Sequence, residues 1–312
     1  MSSSPPRPTH PFFSVVIPTR DRDDFLRVAL ESVRGQTERD FEVIVVDDAG
    51  SASTRTLAAS FDDIGVTYVV NDHAHGGAGT RNAGAERARG SWIAFLDDDD
   101  AWLPTRLERV RSLIERSDET LGLVYTAHAK YDFDAHAVLS IARPRIRGRV
   151  LQDALYHNFV GGLSVVVVRR EAFLRIGGFD ERFPSLQDME LFVRLAQAWS
   201  FDYVDEVLAH VRQGRAGRIS TNAAKKLEGG RLFAEKYEDL IHDDRRLRHR
   251  TAARTFAFAL AADDGKEIAR NAWWATAGLV FDPGNTGFVV RALARHVRSR
   301  IGARLEPRTS AR

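Results

Sequence analysis

Ser91–Pro104 reads S-W-I-A-F-L-D-D-D-D-A-W-L-P. The apolar run Trp92–Leu96 has the length of a buried strand, and it ends in four consecutive carboxylates, Asp97, Asp98, Asp99 and Asp100. Like charges share so small a volume only if water, a cation or both lie among them. Open α/β sheets bind ligands in the crevice beyond the carboxyl ends of their strands, and hard divalent cations prefer carboxylate oxygens. It is the placement of the run after a strand that makes it a candidate metal site. An acidic cluster elsewhere reads as a solvated loop.

Working upstream, Phe13–Ile17 reads as a short buried strand stopped by Pro18. Asp23 or a neighbour can cap a helix from about Asp24 to Gly35, with Phe25, Leu26, Ala29, Leu30 and Val33 on one face. Phe41–Val46 is a second strand, ending in Asp47-Asp48 and the turn-prone Ala49-Gly50-Ser51. A helix near Thr54–Phe61 and a strand at Val66–Val70 follow, and then Gly76–Asn82 leads into a helix through about Arg89. This alternation specifies a doubly wound, mostly parallel α/β sheet with helices on both faces. Pro18-Thr19-Arg20, Asp47-Asp48 and Asp97–Asp100 all follow strands, so they are expected in one crevice. Gly76–Gly79 lacks the lysine spacing of a P-loop, and no G-x-G-x-x-G follows the first strand. That weighs against an NTPase or a dehydrogenase.

Downstream, Pro104 opens a helix whose core face is Leu107, Val110, Leu113 and Ile114. Leu121–Thr126 is a strand candidate and residues 127–160 read as irregular. Leu163–Val168 is β-branched, a short helix covers Glu171–Ile176, and an amphipathic helix covers Asp188–Trp199. Phe201–Val204 is a last short strand, and the pattern beyond the loop at 212–220 is helical. Residues 1–11 form a polar, proline-rich tail expected to be disordered. The main domain is expected at 12–220, with a helical C-terminal extension at 221–312.

The 312 residues contain no cysteine, which excludes disulfides and thiolate metal sites. A net charge of +2 is too small to argue for nucleic acid, and no nucleic-acid partner is expected. No apolar run reaches the roughly 18 residues that cross a bilayer, and the tail has no signal segment behind it, so a cytoplasmic protein is expected. Charge is uneven: residues 286–312 hold seven arginines against one glutamate, leaving the remainder mildly acidic.

Taken together, S-V-V-I-P-T-R-D-R, F-E-V-I-V-V-D-D-A-G-S, G-T-R-N-A-G and W-I-A-F-L-D-D-D-D resemble the donor-binding half of family-2 glycosyltransferases of the GT-A fold. V-V-V-R-R-E-A-F-L-R-I-G-G-F-D-E-R-F and Q-D-M-E-L-F-V-R-L resemble the acceptor half. The resemblance covers roughly residues 13–220, with the donor half at 12–104 and the acceptor half at 105–220. It implies an inverting transferase that takes a nucleotide-diphosphate sugar, with UDP the nucleotide common in the family, and uses Mn²⁺ or Mg²⁺. Pro18, Thr19 and Arg20 would line the nucleotide pocket and Asp48 would accept from the base. Arg81 and Asn82 would lie near ribose and phosphates. Asp97-Asp98-Asp99 would be the D-x-D motif, with Asp99 on the metal and Asp97 on the sugar, the ribose or the metal. Which of the four carboxylates touch the metal is left open by their identity.

Asp188 matches the family's general base, although the glutamate that usually precedes it is Gln187 here. The bland reading of Asp188 is a helix N-cap. His210 matches a position where relatives carry a histidine near metal or phosphates, against a plain structural histidine. Arg215 and Arg218 could close over the diphosphate or belong to a plain solvated loop, and Trp102 reads as core, with packing under the site or stacking on the acceptor as the alternative. There is no Q-x-x-R-W motif of processive synthases, which favours addition of one sugar to a small-molecule, glycan or lipid-linked acceptor. The alternatives are a sugar nucleotidyltransferase, whose glycine-rich signature is missing after the first strand, and a non-catalytic nucleotide-sugar-binding relative. On a helical wheel for residues 288–304, Val289, Val290, Leu293, Ala294, Val297 and Ile301 share a face. Arg291, Arg295 and Arg298 oppose it, and Arg300 and Arg304 snorkel beside it. Such a helix either packs on the domain or makes peripheral contact with an anionic membrane through residues 286–312.

Overall fold

The computed structural model describes residues 10–73, 76–213, 222–281 and 289–297. The expected tail at 1–11 lies almost wholly outside them, as do Arg215, Arg218 and every residue beyond Val297. The chain divides into two compact units, one reaching Glu181 and resuming at Asp188, the other holding Arg182–Gln187 and the later helices.

The first unit opens with β1 (Phe13–Thr19), α1 (Asp23–Arg34), β2 (Phe41–Asp47), α2 (Ala52–Ala59), β3 (Val66–Val70) and α3 (Gly77–Arg87). It continues through β4 (Trp92–Phe95), β5 (Ala101–Trp102), α4 (Arg106–Ile114), β6 (Leu121–Asp132), β7 (Ala137–Ala142) and α5 (Leu151–Tyr156). β8 (Val166–Arg169), α6 (Arg170–Arg175), α7 (Gln187–Ala198) and β9 (Ser200–Arg212) complete it. One sheet runs β3-β2-β1-β4-β8-β6-β9-β5, with β7 paired to β6. The β3-β2-β1-β4 half is parallel throughout. Beyond it the sheet is mixed, since β8 runs antiparallel to both β4 and β6 while β9 is parallel to β6.

β1 is central, and Val15, Val16 and Ile17 have no exposed surface. Full burial of such side chains contributes about 1.5–3 kcal/mol each. α3 lies close against this face because Gly84 permits it: a Cβ there would fall 2.5 Å from Val16 Cγ1 and 2.9 Å from Val46 Cγ2. Pro18 does not stop β1 but lies inside it, opposite Val46. The Thr19 carbonyl accepts from Asp48 N–H on the β2 side, so strand alternation turns Pro18's missing donor toward β4. There the ladder has already ended, at Val16 opposite Phe95, and no hydrogen bond is lost.

Residues 127–160 are not irregular. β6 runs on to Asp132 and turns back as β7, and β9 extends to Arg212 instead of ending at Val204. Leu163–Val165 is a 3-10 turn that precedes β8. Asp23 does not cap α1; its Oδ1 accepts from Thr54 Oγ1 at 2.7 Å.

The second unit is helical: α8 (Ala223–Lys236), α9 (Glu238–His242), α10 (Arg245–Ala262) and α11 (Gly265–Phe281), with residues 289–297 also helical. Asn222 caps α8 and Asp244 caps α10 through their side chains. Val289 and Ala292 join a core with Ala253, Phe256, Leu260 and Ala275. The face drawn on the wheel divides: Val289 is buried, while Val290, Leu293 and Val297 are exposed. Among the described residues no helix is long and apolar enough to cross a membrane.

Candidate active site

The strand order places the switch of the parallel half between β1 and β4, and sheets of this kind bind ligands beyond the carboxyl ends at such a switch. Thr19 from β1 and Asp98 after β4 meet there, Thr19 Oγ1 donating to Asp98 Oδ2 at 2.9 Å. Arg22 Nη1 donates to Asp98 Oδ1 at 3.3 Å. Burial raises the Asp98 carboxyl to about 6 against the opposing pull of Arg22 and Thr19.

The four aspartates alternate. Asp98 and Asp100 are buried, whereas Asp97 and Asp99 are half-exposed. The cause is a tight turn in which Asp100 N–H donates to the Asp97 carbonyl at 3.1 Å. Asp100 points into the protein, where Oδ2 accepts from Ser164 Oγ at 2.6 Å and Oδ1 from Arg212 N–H at 2.8 Å. Burial, with Asp97 and Asp99 alongside, pushes the Asp100 carboxyl well above the usual carboxylate range. Ser164 Oγ also accepts the Asp97 N–H at 3.0 Å, and the Ser164 carbonyl accepts from Trp102 Nε1 at 2.7 Å. One serine therefore ties both ends of the turn to the 3-10 segment that precedes β8. Arg106, wholly buried over the Trp102 ring, donates to that same carbonyl at 3.2 Å.

Arg81, on α3, forms an ion pair with Asp97 and donates to the Gly77 carbonyl. Asp48, at the end of β2, is buried and accepts from Asn71 Nδ2 at 2.6 Å and from Gly76 N–H, Thr80 Oγ1 and Arg20 Nη1 at 3.3 Å each. Its neighbour Asp47 closes the β2 turn by accepting from Ala49 N, Ser51 N and Tyr68 OH. Asn82 is committed elsewhere: Oδ1 accepts Phe179 N–H, and Nδ2 donates to the Phe179 carbonyl and to Glu181 Oε1. It clamps the Gly178–Glu181 segment to α3, and Gly178, at φ +69°, has no room for a Cβ, which would sit 2.6 Å from Asn82 Oδ1. His73 joins the same clamp, its two ring nitrogens 3.2 Å from Glu181 Oε1 and 3.1 Å from Glu86 Oε2.

Asp188 is the second residue of α7, after Gln187, so it stands in the first turn and not at the cap. Oδ1 accepts Met189 N–H at 2.8 Å and Oδ2 accepts Asn158 Nδ2 at 2.7 Å. Burial raises its carboxyl above the ordinary range; the charge of Arg81 lowers it and that of Asp97 raises it. Asp188 thus lies within electrostatic reach of the pair at the β4 end. His210, on β9 opposite Ala101, stacks on Tyr131 with ring centroids 4.2 Å apart, and burial keeps it from its charged form. Among the described residues no three His, Cys, Asp or Glu side chains converge as a metal cage. Residues absent from the sequence reading are Ser164, Asn158, Arg212 and His73.

Residues 14–177 match the family model for glycosyl transferase family 2. The chain belongs to that family. It is 29% identical over 222 residues to an uncharacterised glycosyltransferase of Haemophilus influenzae, covering 69% of this chain and 74% of the relative. It is 29% identical over 202 residues to the amylovoran biosynthesis glycosyltransferase AmsB of Erwinia amylovora, covering 62% and 66%. A β-1,3-glucosyltransferase of Escherichia coli, WfgD, acting from UDP-Glc on α-D-GlcNAc-diphosphoundecaprenol, is 33% identical over 105 residues, 34% of this chain and 42% of that one. Among solved structures, S. aureus TarS with UDP-GlcNAc superposes with a TM-score of 0.58 at 14% identity, over 92% of this chain and 80% of that one. The mannosyltransferase PcManGT of Pyrobaculum calidifontis, with GDP-Man and Mn²⁺, gives 0.55 at 19% identity over 92% and 87%. The fold is therefore of the GT-A type, and the protein is a glycosyltransferase.

Proposed function

We propose that this glycosyltransferase moves one sugar from a nucleotide-diphosphate sugar to an acceptor hydroxyl with inversion, using Asp188 as general base. The observation that carries the reading is the Asp188 carboxylate, raised by burial and within electrostatic reach of the Arg81–Asp97 pair. A base whose pKa is lifted toward the working pH is matched to removing a hydroxyl proton. The acceptor oxygen attacks the anomeric carbon as its proton passes to Asp188, the bond to the diphosphate breaks on the opposite face, and configuration inverts.

Thr19, Arg20 and Asp48 line the proposed nucleotide pocket, with Arg81 beside the diphosphate. Asp97 and Asp99 suit a divalent cation, because both are half-exposed oxygen donors while Asp98 and Asp100 face inward. Two carboxylates, with the rest of the shell from phosphate oxygens and water, match how Mg²⁺ is commonly held. When bound, such a cation offsets the charge that develops on the diphosphate. His210, stacked on Tyr131, is proposed as a neighbour of that site. WfgD is named for UDP-Glc and a diphosphoundecaprenol-linked acceptor, and TarS and PcManGT are seen in complex with UDP-GlcNAc and GDP-Man. By analogy, the exposed Val290, Leu293 and Val297 with Arg291 and Arg295 are proposed to meet an anionic membrane carrying such an acceptor.

A thermal-shift panel of UDP-, GDP- and dTDP-sugars with and without Mn²⁺ tests the donor site, since a ligand that binds the native state raises Tm. One nucleotide should stabilise only with the cation; no shift from any would remove the donor assignment. Proton NMR of the first-formed product then reads the anomeric configuration, and retention would remove the single-displacement mechanism.

A further inference from the structure

Asn158, itself exposed, lies in the loop between α5 and the 3-10 turn at Leu163–Val165. Its Nδ2 donates to Asp188 Oδ2 at 2.7 Å and to the Gly161 carbonyl at 2.9 Å. Its Oδ1 accepts from Val160 N–H at 3.1 Å and from Gly161 N–H at 2.9 Å. A carboxamide offers two donors and two acceptor positions, so the whole capacity of this side chain is engaged. The loop it gathers is itself tied down. Gly161 sits at φ +105°, and a Cβ there would lie 3.2 Å from His128 Cε1 on β6. Three of the four hydrogen bonds fix Asn158 to its own loop, and the fourth is aimed at the carboxylate proposed as the base.

We propose that Asn158 is a positioning residue for glycosyl transfer: its Nδ2–H holds the Asp188 carboxylate in the orientation that receives the acceptor proton. This rests on Asp188 being the base. Met189 N–H, from α7, holds Oδ1 and Asn158, from the loop, holds Oδ2. With both oxygens engaged from different elements, rotation of the carboxylate breaks a hydrogen bond either way. A charge-assisted donor also favours the ionised form, the form a base must have. The charged groups acting on Asp188 from other elements are Arg81, which supports ionisation, and Asp97, which opposes it. His128, beneath Gly161, is kept from its charged form by burial.

The test is Asn158→Asp, which keeps the shape of the side chain. Its oxygens still accept from Val160 and Gly161, but it offers no N–H to Asp188. Donor Kd is expected to stay near wild type, and Tm to fall less than in Asn158→Ala, since only the bond to the Gly161 carbonyl is lost from the loop. The kcat is expected to fall by up to about 100-fold, the scale of misplacing a catalytic group. The acid limb of kcat/KM is expected to move to higher pH, because losing a donor and gaining a carboxylate both favour protonated Asp188. Asn158→Ala should lower kcat likewise and move the limb in the same direction by less, having added no charge, with a lower Tm because all the loop bonds are lost. Wild-type kcat and an unmoved limb in Asn158→Asp, with only a Tm loss in Asn158→Ala, would make Asn158 a loop brace and overturn the proposal. Asp188→Asn assayed in parallel separates the two ideas. If transfer is lost there yet Asn158→Asp behaves as wild type, Asn158 alone is dismissed; undiminished transfer in Asp188→Asn dismisses the base and Asn158 with it.

Discussion

At the end of β4 four carboxylates crowd into one turn, whereas at the start of α7 Asp188, with Glu190 drawn off to Arg194, stands with two donors and one ion pair in reach. The crowded turn does not relieve its charge by opening to water. It sorts its members: Asp98 and Asp100 turn inward onto Thr19, Arg22, Ser164 and Arg212, and Asp97 and Asp99 stay half-exposed. Burial lifts the proton affinity of Asp188 too, but its two hydrogen bonds come from one backbone N–H and one loop side chain. Partners, not the number of charges, decide which carboxylate holds the scaffold and which is placed to meet a ligand.

The largest effects should come from breaking that sorting. Asp99→Asn is expected to lower kcat by on the order of 10²–10³-fold, the cost of losing one electrostatic stabiliser of a transition state. Asp98→Asn, which keeps an acceptor for Thr19, should lose less than about tenfold by the same measure. Steady-state kinetics across a Mn²⁺ titration compares them, and equal losses would break the distinction between the two pairs. Next in size is Ser164→Ala. It removes the acceptor for Asp97 N–H and leaves the buried Asp100 carboxylate one donor short, at a cost of about 1–3 kcal/mol in urea unfolding. An unchanged midpoint would show that the turn holds without its serine.

The smallest effect lies beside the turn, at His73. Burial alone would lower its pKa, but Glu86 and Glu181 outweigh that and raise it. A histidine raised in the folded state contributes stability that is full below its unfolded pKa and is lost as pH rises through its folded pKa. His73→Gln should therefore lower Tm at pH 6 by roughly 1 °C and leave it unchanged at pH 9, since a partly exposed pair is screened. A loss of equal size at both values would mean that packing, not charge, is what His73 contributes.

Much of this was legible in the residues. Apolar runs ending in Pro18-Thr19-Arg20, Asp47-Asp48 and Asp97–Asp100 gave β1, β2 and β4 and their common edge, because a parallel sheet buried on both faces writes near-continuous hydrophobic strands. Other elements were hidden for physical reasons. β7 contains Val138, Leu139 and Ile141, all exposed, so its burial pattern carries no alternation to read. β6 looked finished at Thr126 because His128, Lys130 and Asp132 interrupt its apolar run, though its pairing with β9 continues to Tyr131. Pro18 read as a stop because the position at which β4 ends is not written in β1. Four identical aspartates cannot announce which two face inward; the turn and Ser164, more than sixty residues later, decide that. Asn158 gave no signal beyond an asparagine ahead of two glycines, since its importance comes from a contact thirty residues away.

The most direct test is donor binding and sugar transfer measured on one preparation of Asp188→Asn. Donor Kd should match wild type, because the proposed nucleotide pocket is built from β1, β2 and the Asp97–Asp100 turn. Transfer should fall by roughly 10²–10⁴-fold, the contribution of a positioned general base. Transfer at the wild-type rate with intact donor binding would contradict the account and remove Asp188 from the reaction.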